Sequence, residues 1–219
     1  MIDMKVLIMA ANGQIARLIE ERILSESKFS HIELTLFLRQ ADRLSQLRNN
    51  ARVTFIEGDL SDENAVNKAV AGQDLIFVGV VDHTQNNVWT KNIINAMKRN
   101  HVSRIVFTNI LGIYNEVPGE FGRWNAHQVM NGLNAAIESD QLLADSGLQY
   151  TTLRLPWLND RHEINYVITH RAEPYVGVSG SRRSVADLVL QIIAKPVLGI
   201  NDSLGLADPS TQGENRPVY

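Results

Sequence analysis

Apolar positions along this chain change their spacing several times, and each change marks an element. Residues 5–16 read KVLIMAANGQIA. Val6, Leu7, Ile8 and Met9 form a short continuous apolar run, the pattern of a strand covered on both faces. The run stops at Ala-Asn-Gly, where Asn12-Gly13 tolerates positive φ and breaks the strand. From there the apolar residues fall at Ile15, Leu18, Ile19 and Ile23, which is one face of a helix.

The same reading continues downstream. ELTLFLR (33–39) alternates, with Leu34, Leu36 and Leu38 on one side and Glu33, Thr35, Phe37 and Arg39 on the other, and is a second strand. VTFIEGDL (53–60) is a third, ending in Gly58-Asp59-Leu60. Ser61 is placed to cap the next helix, whose first turn carries Asp62 and Glu63 and which ends near Gly72. DLIFVGVV (74–81) is a nearly continuous apolar fourth strand. Residues 87–100 return to helical spacing through Val88, Ile93, Ile94 and Met97, and RIVFT (104–108) is the fifth strand. PGEFG (118–122) reads as a loop before a long helix over 126–144, with Gly147 as its C-cap. YTTLRL (150–155) is a sixth strand stopped by Pro156. The chain is then irregular or short-stranded as far as His170. Ser184-Val-Ala-Asp187 has the spacing of a capping box and opens a last helix through Leu188, Ile192 and Ile193. The tail from Asp208 is expected to run extended over the surface.

Strand and helix alternate at the length of a βα unit, which requires crossover connections and a parallel sheet with helices on both faces. The expected fold is therefore α/β, a Rossmann-like doubly wound parallel sheet. We read residues 1–219 as a single domain, with a core over 1–155 and a small cleft-lining segment over 156–219. In such sheets ligands sit outside the carboxyl ends of the strands, where strand order reverses. That rule gathers Ala10, Asn12, Gly13, Gln14, Ile15, Arg39, Asp59, Leu60, Gly79, Val80 and Thr108 at one edge, with Tyr114 just beyond.

A helix opening directly after a small-residue turn presents free N–H groups and the positive end of its dipole, so a pyrophosphate fits there. The three glycine places of the dinucleotide fingerprint are filled by Ala10, Gly13 and Ala16. The alternative is an ordinary strand-to-helix turn. After the second strand stand Arg39 and Arg43, where an acidic residue would grip a ribose and a basic one accommodates a 2′-phosphate. They argue for NADP(H), with NAD(H) still open; solvated surface arginines are the competing account.

Composition narrows the classes. The 219 residues carry 21 Lys and Arg against 24 Asp and Glu, a net charge of −3, which offers no basic face for nucleic acid. The absence of cysteine excludes disulfides, thiolate zinc sites and cysteine nucleophiles, and fits a cytoplasmic location. No apolar run approaches a membrane span, and the N-terminus lacks signal-peptide regions. The six histidines are scattered without metal-ligand spacing, so no metal site is expected.

KVLIMAANGQIA, LRQADRL, GDLSD, AGQDLIFVG, SRIVFTNILGIY, ADSGLQYTTLRLPWL and SRRSVADLV, in that order, resemble the atypical short-chain dehydrogenase/reductases. The likeness is to the NAD(P)-binding, NmrA-like group that includes the biliverdin/flavin-reductase type. The resemblance implies a Rossmann domain binding NADP(H) or NAD(H), with a small C-terminal portion lining the cleft. Working reductases of the wider superfamily use a Ser beyond the fifth strand and a Tyr-x-x-x-Lys on the next helix, where Tyr is the acid and Lys lowers its pKa. Matching along the chain puts these at Asn109 or Ile110, Met130 and Asn134, so none matches, and 126–146 holds neither Tyr nor Lys. A proton donor would have to come from Tyr114, His127 or Tyr166, with Tyr114 best placed and His83 near the cofactor edge. Arg154 is expected to anchor the C-terminal segment through a carboxylate. Two functions follow. One is a reductase acting on a small carbonyl, quinone or flavin substrate, a flavin-type ring needing no tyrosine. The other is a non-catalytic cofactor sensor working through a protein partner. Oligomeric state is open, with a dimer an option.

Overall fold

The computed structural model describes residues 4–219. It contains ten strands and five α-helices in the order β1 (Met4–Met9), α1 (Gln14–Ser25), β2 (Ile32–Leu38), β3 (Val53–Glu57), α2 (Glu63–Val70), β4 (Leu75–Val78), α3 (Val88–Arg99), β5 (Arg104–Ile110), α4 (Gly119–Ala144), β6 (Gln149–Leu155), β7 (Trp157–Asn159), β8 (Val167–Thr169), β9 (Ser179–Ser181), α5 (Arg182–Ala194) and β10 (Asp202–Ala207). Eight strands form one sheet in the order β3-β2-β1-β4-β5-β6-β10-β8. All its pairings are parallel except β10 with β8. β7 and β9 make a separate parallel pair. Strand order reverses between β1 and β4, which makes the end of β1 the switch point of a Rossmann-like sheet.

Alternation along β1 fills both faces. Val6 and Ile8 join a layer with Ile19 and Ile23 of α1 and Val185, Val189 and Ile193 of α5. Leu7 and Met9 join the opposite layer with Val66 of α2, Ile93 and Met97 of α3 and Leu143 of α4. β2 behaves likewise, Leu36 facing the first layer and Phe37 the second, so its alternation divides two cores and not core from solvent.

Several boundaries differ from the sequence reading. α4 begins at Gly119, seven residues early, because Phe121 and Asn125 are buried and carry the 118–122 segment into the helix. α2 is capped by Asp62, which accepts from the N–H groups of Asn64 and Ala65; Ser61 instead accepts from the Trp89 indole at 2.9 Å. The cap of α5 is Ser181, accepting from Ser184 N at 3.0 Å. Asp187 does not close a capping box. It turns to α1 and pairs with Arg22 at 2.9 Å. The tail past Asp208 does run over the surface, with 212–216 exposed, but it is stitched down at two points: Thr211 is buried and accepts from Val178 N at 2.9 Å, while Val218 N donates to Ser179 Oγ at 2.8 Å. β10 was absent from the sequence reading. Arg154 does anchor the C-terminal part. It is fully buried, pairs with Glu116 at 2.9 Å, and donates to the carbonyls of Thr169, His170 and Ser203.

Candidate functional site

The carboxyl ends of four strands meet in a row. Ala11 N donates to Phe37 O of β2, Gly79 N to Met9 O of β1, and Gly58 N to Leu38 O. These bonds bring Ala10, Asn12, Gly13, Gln14 and Ile15 to the same edge as Arg39, Asp59, Leu60, Gly79 and Val80. Thr108 follows Phe107, the register partner of Val78, and so borders Gly79.

The turn after β1 is closed by a bond from Gly13 N to Ala10 O at 2.9 Å. The expected positive φ does not fall at Gly13, which is extended at φ −66° and caps α1; it falls at Ala10, φ 58°. Gly13 is needed for closeness: a Cβ there would lie 3.3 Å from Ala10 O and 3.7 Å from Gly79 O. A Cβ on Gly79 would lie 3.3 Å from Met9 O. No side chain caps α1 and its first turn holds no carboxylate, so its leading N–H groups remain for a ligand. The Thr108 hydroxyl at this edge is also buried, without a partner among the described residues. A cradle that a Cβ would crowd, an uncapped helix and an orphaned hydroxyl together fit the phosphates and ribose of a dinucleotide.

Arg39 and Arg43 are exposed and have no ion-pair partner among the described residues. Asp42, the carboxylate between them, is paired with Arg48. Sequence reasoning missed Arg17. Its guanidinium donates to Asn12 Oδ1 at 2.8 Å and to Arg43 O at 2.9 Å, tying the turn after β1 to the loop after β2. Asp59 Oδ1 accepts from Ser61 N, and the Leu60 carbonyl accepts from Asn92 Nδ2, both at 2.9 Å. Asp82, which the strand-end rule also brings to this edge, serves the fold. Fully buried, it accepts from the N–H and hydroxyl of both Thr84 and Thr90, which pins the loop between β4 and α3.

Beyond β5 lies a cavity of about 390 Å³, lined by Gly112, Ile113, Tyr114, Asn115 and Val117 on one side and by Gly122, Asn125, Ala126, Val129, Leu133 and Ile137 of α4 on the other. Tyr114 is its one ionisable lining residue. The Tyr114 hydroxyl donates to Asp140, and burial with that carboxylate pushes the phenol well above its usual range. Of the two residues matched to the superfamily's Ser, Asn109 is fully buried with Nδ2 on Ala136 O at 2.9 Å, and Ile110 ends β5. Met130 is 57 % exposed and α4 contains neither Tyr nor Lys. Tyr166 donates to Asp187 at 3.0 Å beside α5, and His127 is exposed on α4. His83 packs on Gly132 of α4, where an added Cβ would meet its ring at 3.0 Å.

A model of the NAD(P)H-binding family matches residues 10–196. The chain belongs to that NAD(P)H-binding family. A Rossmann-fold NAD(P)-binding family protein from Shigella flexneri is 30 % identical, with 99 % of each chain covered and a TM-score of 0.78. A short-chain dehydrogenase/reductase from Veillonella parvula DSM 2008, solved in complex with NADP, superposes with a TM-score of 0.90 over 99 % of each chain at 24 % identity, a likeness of fold. Quinone oxidoreductase 2 of Escherichia coli (strain K12) is 25 % identical over 174 residues, 79 % of this chain; the match spans 56 % of the relative's own length. The motif-based resemblance to atypical short-chain dehydrogenase/reductases is thus borne out, and this family member binds a nicotinamide dinucleotide. Among the described residues, no helix is long and apolar enough to cross a membrane.

Proposed function

We propose that the protein is an NADPH-dependent reductase of a small, flat, conjugated acceptor of the quinone or flavin type. The observation that carries this reading is the apolar cavity beyond β5, whose one ionisable side chain already has its hydroxyl on Asp140. Reducing an aldehyde creates a strongly basic alkoxide that needs an acid at hand. Reducing a quinone or flavin leaves a weakly basic anion that takes its proton from water. The cavity suits the second chemistry, and the likeness to a protein named quinone oxidoreductase supports it.

In this reading Ala10, Asn12, Gly13, Gln14 and Ile15 hold the pyrophosphate, with Gly79, Val80 and Thr108 beside the nicotinamide half. Asp59 and Leu60 border the adenine, and Arg39 with Arg43 receives the 2′-phosphate. The bound dinucleotide supplies hydride. The chain's own residues position it and line the cavity with mostly apolar side chains for the ring's faces. Tyr114 acts here as a wall and as a tie to Asp140.

Calorimetric titration with NADPH and NADH, followed by NADPH oxidation with quinones, flavins and aldehydes, tests the proposal. Turnover with quinones or flavins and none with aldehydes is expected. Tight binding with no turnover would favour the sensor. Arg39→Ala should weaken NADPH about tenfold or more while sparing NADH, as loss of a charge-assisted contact to phosphate predicts. Equal losses for both cofactors would remove Arg39 from the 2′-phosphate site.

A further inference from the structure

Asn125 is 1 % exposed and lines the cavity beyond β5. The orientation of its amide is fixed by chemistry. An indole N–H can only donate, and Trp157 Nε1 donates to Asn125 Oδ1 at 3.0 Å. Nδ2 therefore points the other way, where its contact is the Leu111 carbonyl at 3.4 Å, longer than a normal N–H to O bond. An amide nitrogen carries two hydrogens, so one is on a stretched bond and the other has no partner among the described residues. Gly112, at φ 98°, keeps the space in front of it clear, since a Cβ there would come within 3.0 Å of Nδ2. The cavity wall on the same helix is Ala126, Val129, Leu133 and Ile137, which offer no acceptor. A buried donor left short of an acceptor costs about 1–3 kcal/mol, and a ligand oxygen relieves that cost.

We infer that Asn125 is a substrate-contacting residue: its unpaired Nδ2–H donates to a carbonyl oxygen of the ring acceptor and stabilises the negative charge that oxygen gains on reduction. Trp157 is the positioning residue that holds the amide the right way round. The inference rests on the reductase reading above and adds to it the group that contacts the acceptor's oxygen. For a quinone, two electrons and one proton arrive as the dinucleotide's hydride. The oxygen facing Asn125 keeps an electron pair as an oxyanion, then takes the second proton from water to give the hydroquinone, and the dinucleotide is left oxidised. A donor preorganised toward a developing oxyanion accelerates such a step on the order of 100-fold or more.

The test uses menadione and its carbonyl-free counterpart 2-methylnaphthalene, titrated calorimetrically into the full chain saturated with NADP+. Asn125→Asp keeps an acceptor for Trp157 and removes the donor. Menadione affinity should fall about tenfold, 2-methylnaphthalene and NADPH affinities should stay within about twofold, and kcat with menadione should fall on the order of 100-fold. Should Asn125→Asp not fold, Asn125→Ser, which retains a hydroxyl donor, should keep more menadione affinity than Asn125→Ala. Equal menadione affinity in the parent and Asn125→Asp, a parallel loss for both ring probes, or no menadione binding to the parent overturns the inference. NADPH titration of the parent separates the two levels. No NADPH binding defeats the reductase reading itself, whereas NADPH binding with menadione affinity indifferent to Asn125 defeats this inference alone.

Discussion

The turns after β1 and after β5 stand near each other at one edge of the sheet and are made from different parts of the chain. The first is closed by backbone: a 2.9 Å main-chain bond shuts it, its glycine matters for the carbonyls it lets come near, and Arg17 ties it from outside to the loop after β2. The second is held by side chains. Glu116 accepts from Gly112 N at 2.9 Å and Tyr114 N at 3.0 Å and is itself held by Arg154. The guanidiniums of Arg154 and Arg171 lie over the Tyr114 ring, at 5.4 and 5.2 Å from its centroid. A cradle of main-chain groups survives the loss of two fingerprint glycines when their replacements are small. A site made of side chains changes its chemistry when single residues change.

The largest expected effect tests the side-chain turn. Arg154→Ala leaves Glu116 buried without its cation, which costs about 3–5 kcal/mol. Urea unfolding should register that loss, and a change below about 1 kcal/mol would show that the loop holds itself.

Next in size is a contrast within the backbone-built half. Burial of Glu20 on α1 raises its carboxyl from 4.5 to about 8. Below about pH 4.5 folded and unfolded chains are both protonated there and this contribution to stability is intact. As pH rises from there toward 8 the unfolded chain ionises while the folded one stays neutral, and stability falls by up to about 1.4 kcal/mol per pH unit. Glu20→Gln should flatten that slope and be the more stable protein at pH 8. Identical slopes in denaturant titrations across this window would place the carboxyl outside the linkage.

The smallest effect concerns the strained alanine. The φ of 58° at Ala10 crowds its Cβ, so Ala10→Gly should stabilise the fold by about 0.5–1 kcal/mol, read as a higher melting temperature. A lower melting temperature in that variant would mean the alanine methyl packs usefully.

The sheet's first six strands were legible because each is a dense apolar run, and the row of strand ends followed from where those runs stop. β10 was hidden by its own packing. Gly205 interrupts its pattern because a Cβ there would strike Thr169 and the Tyr175 ring at 2.5–2.8 Å. The start of α4 was masked by Gly119 and Gly122, which read as loop in any local window. Arg17 and Asn125 carried no signal at all. One is a polar residue on a helix face and the other a helical asparagine, and only the partners that tertiary structure supplies give them roles. Arg154 was readable as an anchor from its motif, but its partners come from segments as far apart as Glu116 and Ser203.

Three tryptophans occur in the chain, and the fold has distributed them between the two ends of the cleft. Trp89 bonds to Ser61, next to Asp59 and Leu60, whereas Trp124 and Trp157 lie 4.9 Å apart beside the cavity. Intrinsic emission from this molecule therefore has two separate reporters. Single replacements of Trp89 and of Trp157 by Phe would assign a change in that emission to one group or the other.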